Sequence, residues 1–204
     1  MKDFKNILTR FKVLFPQEES NSPFTWFGFE CGIGWYNIIN NAFEAICADY
    51  FQAEYRLKYF QKYLDDLDEY YAFERKYSKK DQDLSDEALL KNLNEKIDES
   101  KSELELRKQE LPEVAQIKEK FGTLRLYLDS VSLKFDCVVH YAGMMSAVTC
   151  EDCGNAGETY RMGWHRTLCR EHAVQQYGED AVSKYEDDRK AIKEITELGE
   201  KQGE

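Results

Sequence analysis

The sequence predicts an α+β fold that is mostly α: a small core with short β-hairpins and a treble-clef zinc finger, carrying a long antiparallel coiled-coil helical hairpin. Three observations predict it. A Cys-x2-Cys-x15-Cys-x2-His pattern runs from Cys150 to His172, apolar residues recur at steps of three and four across 46–111, and apolar and polar residues alternate over 124–128. The 204 residues are 42% hydrophobic and 33% charged, with 11 Gly and 3 Pro. That composition suits one ordinary domain or a compact core with an appendage, folded rather than disordered.

Charge narrows the partners. The chain has 28 Lys+Arg against 39 Asp+Glu, a formal net charge of -11, so phosphate backbones repel it as a whole and general nucleic-acid binding is disfavoured. The surplus acid is shared between 49–111 and 150–204 and forms no acidic tail. The first fifteen residues mix charges without an apolar run of signal-peptide length, and nowhere do about 18 apolar residues follow one another. The expectation is a cytoplasmic protein without a membrane partner, in which six cysteines serve as thiols or metal ligands rather than disulfides.

Residues 1–47 are read as the first part of the core. The run Phe27-Gly28-Phe29-Glu30-Cys31-Gly32-Ile33-Gly34-Trp35-Tyr36 is rich in glycine and aromatics. It lacks the Gly-x-Gly-x-x-Gly order and the preceding strand of a dinucleotide site, so it predicts a tight turn before a helix. Cys31 has no sequence neighbour that would make it a nucleophile.

Residues 48–111 are read as an inserted arm. Tyr50, Ala53, Leu57, Phe60, Leu64, Leu67 and Tyr71 form an unbroken apolar seam, a polar break follows over 78–83, and Leu90, Leu93, Ile97, Leu104 and Leu111 resume it until Pro112. Two such helices fold back most economically as a hairpin, each burying its stripe on the other. The arm then serves as a spacer, or it meets a partner. Its aromatics exceed what one seam can bury, which makes Tyr59, Tyr63 and Tyr70 candidates for contact with another protein or a second subunit.

Residues 112–149 return to the core. Leu124, Leu126 and Leu128 alternate with Arg125 and Tyr127 as a strand with one buried face, 116–122 pairs with it across a turn, and 131–148 has helical spacing. His140 on that helix reads as structural.

Residues 150–173 carry the most specific chemistry. Cys150, Cys153, Cys169 and His172 have the paired spacing of a zinc site, with Gly154 suited to a tight knuckle. Two short strands about Gly163 and a helix from Cys169 complete a treble clef. Four protein ligands close the tetrahedron, so one structural Zn2+ is expected, with no catalytic residue and no other cofactor. A zinc deaminase would need a His-x-Glu, which is absent. A treble-clef nuclease could use only His165, which lacks a neighbouring Asp-His or His-His pair. Arg161, Trp164, Arg166 and Arg170 could face nucleic acid, but Glu151, Asp152, Glu158 and Glu171 nearly cancel their charge. Cys31, Cys47 and Cys137 are left without a role. In 174–204 a charged helix is expected from Glu171 to about Leu198, with fraying beyond Gly199.

Three separated blocks carry a resemblance: Gly32-x-Gly34-Trp35-Tyr36, then Gln116 to Arg125, then Cys150-x2-Cys153-Gly154 leading to Gly163-Trp164-x2-Thr167-Leu168-Cys169-x2-His172-Ala173. Together they are similar to a family of small phage and prophage proteins with this finger, and the arm looks like an insertion between the blocks. The resemblance implies a phage-encoded accessory protein in the host cytosol and brings no activity or substrate with it. By analogy with small acidic phage proteins, the reading is a non-enzymatic module that binds and inhibits a host protein such as a defence-system component. A nucleic-acid-binding regulator acting through the finger is the alternative, and a nuclease the lesser one.

Overall fold

The computed structural model describes residues 3–16, 21–77, 85–130 and 132–201. Its first helices are α1 (Phe4–Arg10), capped by the Asp3 carboxylate on the Lys5 amide, and α2 (Pro23–Phe27), capped by Ser22 with Pro23 in its first turn. A two-residue strand β1 (Phe29–Glu30) follows, then a 3-10 turn over Ile33–Trp35, then α3 (Tyr36–Ile46). The tight turn before a helix is present. The strand was not anticipated, because two residues carry no alternation to detect.

The predicted hairpin is β2 (Val114–Lys120) and β3 (Thr123–Leu128), paired antiparallel with Ile117 opposite Leu126 and Glu119 opposite Leu124. Strand β1 joins β2 in parallel and completes a sheet of order β1-β2-β3. Phe121 and Gly122 link β2 to β3 with φ of 55° and 78°. Both central residues are left-handed, the backbone of a type I′ turn that follows the twist of the strands. Helix α7 (Leu133–Ser146) starts on a Ser132 cap and lays Phe135 and Ala142 on this sheet. Val131, expected as its first residue, lies outside the described residues. Ile7, Phe11, Leu14, Trp35, Ile39, Phe43, Val114, Ile117, Leu124 and Leu126 build one apolar core between α1, α3, α7 and the sheet.

The arm consists of α4 (Ala48–Asp65), α5 (Leu67–Tyr77) and α6 (Asp86–Gln109). Its first limb was expected to be continuous. It breaks at Asp66, whose carboxylate accepts the Glu69 amide at 3.0 Å and caps a new helix. The limbs run antiparallel: Arg75 pairs with Asp86, while Lys96 reaches Glu74 at 2.8 Å and lies over the Phe60 ring. Tyr63, Tyr70, Leu89, Leu93 and Ile97 form the arm's own apolar cluster. The polar break expected over 78–83 lies outside the described residues.

After α7 come β4 (Glu158–Tyr160) and β5 (Arg166–Leu168), antiparallel, then α8 (Arg170–Tyr177) and α9 (Glu179–Lys201). The single charged helix expected here is two. Gly178, at φ 86°, donates its amide to the Val174 carbonyl and ends α8. The chain then folds back so that Val182 and Tyr185 cover Tyr160. Burial of Val182 anchors α9, which runs to Lys201; the last three residues of the expected frayed end lie outside the described residues.

Candidate metal centre

The centre is assembled from three local structures. Residues 150–154 form a knuckle, closed by the Gly154 amide on the Cys150 carbonyl at 2.9 Å, with Gly154 at φ 82°. Strands β4 and β5 form the hairpin behind it. Cys169 stands at the N-terminus of α8, whose first turn presents His172 three residues later.

These elements bring together all four predicted ligands. The donor atoms of Cys150, Cys153, Cys169 and His172 lie within 4.8 Å of one another. Cys153 Sγ and Cys169 Sγ are 3.8 Å apart, and His172 Nδ1 is 3.5 Å from Cys150 Sγ and 3.1 Å from Cys169 Sγ. A tetrahedral ion with metal–sulfur bonds of about 2.3 Å and metal–nitrogen bonds of about 2.0 Å sets sulfur–sulfur distances near ~3.8 Å and sulfur–nitrogen distances near ~3.5 Å. The three distances lie close to these values, and the four residues offer three sulfurs and one nitrogen that could hold one ion.

The cysteine thiols differ in their electrostatics. Burial opposes ionisation of Cys150, but the backbone amides of Cys169, Cys153 and Asp152 outweigh it and bring the thiol down to about 7. Burial and the neighbouring sulfurs push Cys153 up to about 11. Crowded sulfurs resist collective ionisation until a dication binds them, at which point all three are thiolates.

The rest of the core grips this knuckle. The Gly34 amide donates to the Glu151 carbonyl at 2.7 Å, the Gly32 amide to the Glu151 carboxylate at 2.9 Å, and the Trp35 indole to the Thr149 carbonyl at 2.8 Å. On the other side the β2–β3 turn seats on the hairpin. Thr167 Oγ1 donates to the Gly122 carbonyl, and the Trp164 indole donates to Glu119 at 3.0 Å. Glu151, Glu119 and Thr167 were not singled out as site residues from sequence. The glycines packed around the knuckle were the available signal, because they mark close backbone approach.

The predicted surface residues fare differently. Arg166 is bound to Asp152 at 2.6 Å and to Glu151 at 3.3 Å, and Arg170 pairs with Glu179 and Glu186. Neither presents a free cation to phosphate; α9, folded back by Gly178, supplies both acids on Arg170. Arg161 is exposed, as is Trp164 at 71%. His165 stacks edge-on to Phe121, and His140 stands exposed on α7. The arm tyrosines require a correction. Tyr70 is 1% exposed, hydrogen-bonded to Asn92, and Tyr63 is buried beside it. Only Tyr59 of the three has a sizeable exposed surface, while Tyr63 and Tyr70 pack on each other in the seam.

The remaining cysteines divide by burial. Cys47 is in the core and Cys31 packs against it; burial first, then Glu44 and Glu151 respectively, pushes each thiol up to about 12. Burial thus holds both in the neutral thiol form, the weaker nucleophile. Cys137 is exposed. No helix among the described residues is long and apolar enough to cross a membrane. No family model, curated protein or solved structure matches the chain.

Proposed function

We propose that the chain is a non-enzymatic, phage-encoded protein-binding module whose finger is a treble clef holding one structural Zn2+ on Cys150, Cys153, Cys169 and His172. The closed donor set carries this reading. Four protein atoms at tetrahedral spacing leave no position for substrate or activated water, and three thiolates with one imidazole are a donor set that suits zinc. The order of knuckle, hairpin and helix supports the treble clef.

A structural ion suits what surrounds it. The knuckle is a docking block for Gly32, Gly34 and Trp35, so the metal ties the two ends of the chain to one core. The paired arginines support a protein partner over nucleic acid. The resemblance to phage proteins supports a host partner in the cytosol, and inhibition of a defence-system component is the specific form of the proposal.

Native mass spectrometry of the purified chain tests both halves. One zinc per chain is expected. In the Co2+ form, sulfur-to-metal charge-transfer bands should be intense and unchanged by azide, because no coordination position is open. A purified host target should bind stoichiometrically without being turned over. Azide-sensitive bands, or chemical conversion of the target, would overturn the proposal.

A further inference from the structure

Helix α7 gives one side to the core through Phe135, Val138, Val139 and Ala142 and leaves another side bare. Leu133, Cys137, Tyr141, Met144 and Val148 follow one another at steps of four, four, three and four residues, which stacks them in one sector of the helix and its terminal turn. All five are exposed, Leu133 to 82%. Lys134 and His140 flank that sector, and the Lys134 ammonium is turned aside onto Asp49 at 2.6 Å. Beside the strip runs a groove of about 560 Å³ between α3 and α7, walled by Ile38, Ala45, Val138 and Met145 and by no charged residue.

In a chain that is 33% charged this is an anomaly. Five exposed apolar residues in one sector form a contiguous patch, and such patches mark association sites. Two copies would cover both strips at once, and the groove beside each adds to the area that specific interfaces need. Tyrosine and methionine are favoured at such surfaces.

We propose that this face of α7 is a homodimer interface, occupied by α7 of a second copy lying antiparallel about a two-fold axis beside Tyr141. The sequence of the strip selects that occupant. Measured from Tyr141, its members stand at -8, -4, 0, +3 and +7. A two-fold axis between residues 140 and 141 therefore sets Leu133 on Val148 and Cys137 on Met144, with the two Tyr141 side chains beside the axis. A foreign partner would require no such symmetry. The inference rests on the interaction-module reading only in treating the strip as a protein surface; a stable monomer would overturn the dimer and leave that reading intact.

Sedimentation velocity on the full metal-loaded chain from ~1 to ~100 µM tests it, with a monomer–dimer equilibrium expected in the micromolar range. Tyr141→Glu places two carboxylates beside the axis and should weaken the dimer at least about 30-fold, with helicity and metal content unchanged. Met144→Lys should act in the same direction, whereas Tyr59→Glu on the arm should leave the constant unaltered. Under mild oxidation Tyr141→Cys should form a covalent dimer, while Cys137 of the unaltered chain, facing Met144, should not. A chain monomeric at ~100 µM, or a dimer indifferent to Tyr141→Glu, overturns the proposal. So does a monomer that takes up an amphipathic helical peptide against Met144, which would assign the face to a foreign protein.

Discussion

The amide of Gly34 donates to the carbonyl of Glu151 across 2.7 Å, and no side chain fits at Gly34. A Cβ there would come within 2.5 Å of that carbonyl oxygen and collide with the Cys150 carbonyl as well. The obstacle is backbone, which cannot rotate away. Gly34→Ala should therefore cost about 2–4 kcal/mol and speed metal loss. Urea unfolding and transfer of the ion to a chromophoric chelator measure the two effects. Unaltered values for both would mean that the knuckle and the N-terminal loop are not docked.

Removing the metal should unfold the finger selectively. Apo protein, or Cys169→Ser, should lose amide protection over β4, β5 and α8 and in the loop held by Glu151. The arm should keep its protection, because its cluster around Tyr70 and Leu93 is built without the finger. Since the ion binds thiolates and neutral imidazole, acidification should release it as protons compete for the donors. Hydrogen exchange of holo and apo forms, with metal release followed against pH, checks both.

Arg166→Ala and Arg161→Ala separate a structural from a nucleic-acid role. Arg166 bridges the buried Glu151 carboxylate and Asp152, so its loss leaves a charge uncompensated and should cost about 2–4 kcal/mol. Arg161 is exposed, and its replacement should stay within about 0.5 kcal/mol. If instead both variants stayed stable and lost affinity for an oligonucleotide, the finger would be the binding face.

Tyr70→Ala should destabilise the arm by about 3–5 kcal/mol, while Tyr59→Ala should cost far less, as their burial differs so widely. Tyr70→Phe keeps the ring but loses the hydroxyl's bonds to Asn92 and Lys96, at a cost of about 1 kcal/mol. Thermal melts followed by helical ellipticity rank the three. Equal losses for Tyr59 and Tyr70 would contradict the packed seam.

Alkaline titration should find late tyrosines. The hydrogen bond to Tyr59, then burial, pushes Tyr63 up to about 12; burial, then Glu158 and Glu186, does the same for Tyr160. A raised folded value means stability that is fully present below the unfolded value near 10 and is lost as pH climbs through about 12. Phenolate absorbance should therefore rise in two stages, the second accompanied by loss of ellipticity. A single stage near 10 with helicity intact would rule out this burial.

The metal centre was legible in the sequence because its chemistry is local. Cys150 with Cys153, and Cys169 with His172, sit at the spacings that one turn of chain brings to one ion, and no distant contact is needed to see it. Helix α7 and the β2–β3 hairpin were legible for the same reason, since a period of about 3.6 or 2 is written along the segment itself. By contrast, the break at Asp66 and the split at Gly178 were hidden in otherwise continuous patterns. One carboxylate closing on an amide, and one glycine taking a left-handed turn, redirect a helix without disturbing its periodicity.

Exposure is where sequence and tertiary structure part. Tyr70 and Tyr59 have the same side chain, as do Arg161 and Arg166, and the sequence by itself determined only that aromatic and cationic groups were present. Tertiary packing decided that Tyr70 lies in the seam, that Arg166 is held by Glu151 and Asp152, and that α7 carries a bare apolar strip beside its core-facing side. The physical reason is that ligand spacing and periodicity are properties of a segment. Burial and charge pairing depend on which distant segment arrives opposite, as Glu151 does for Gly32 and Gly34.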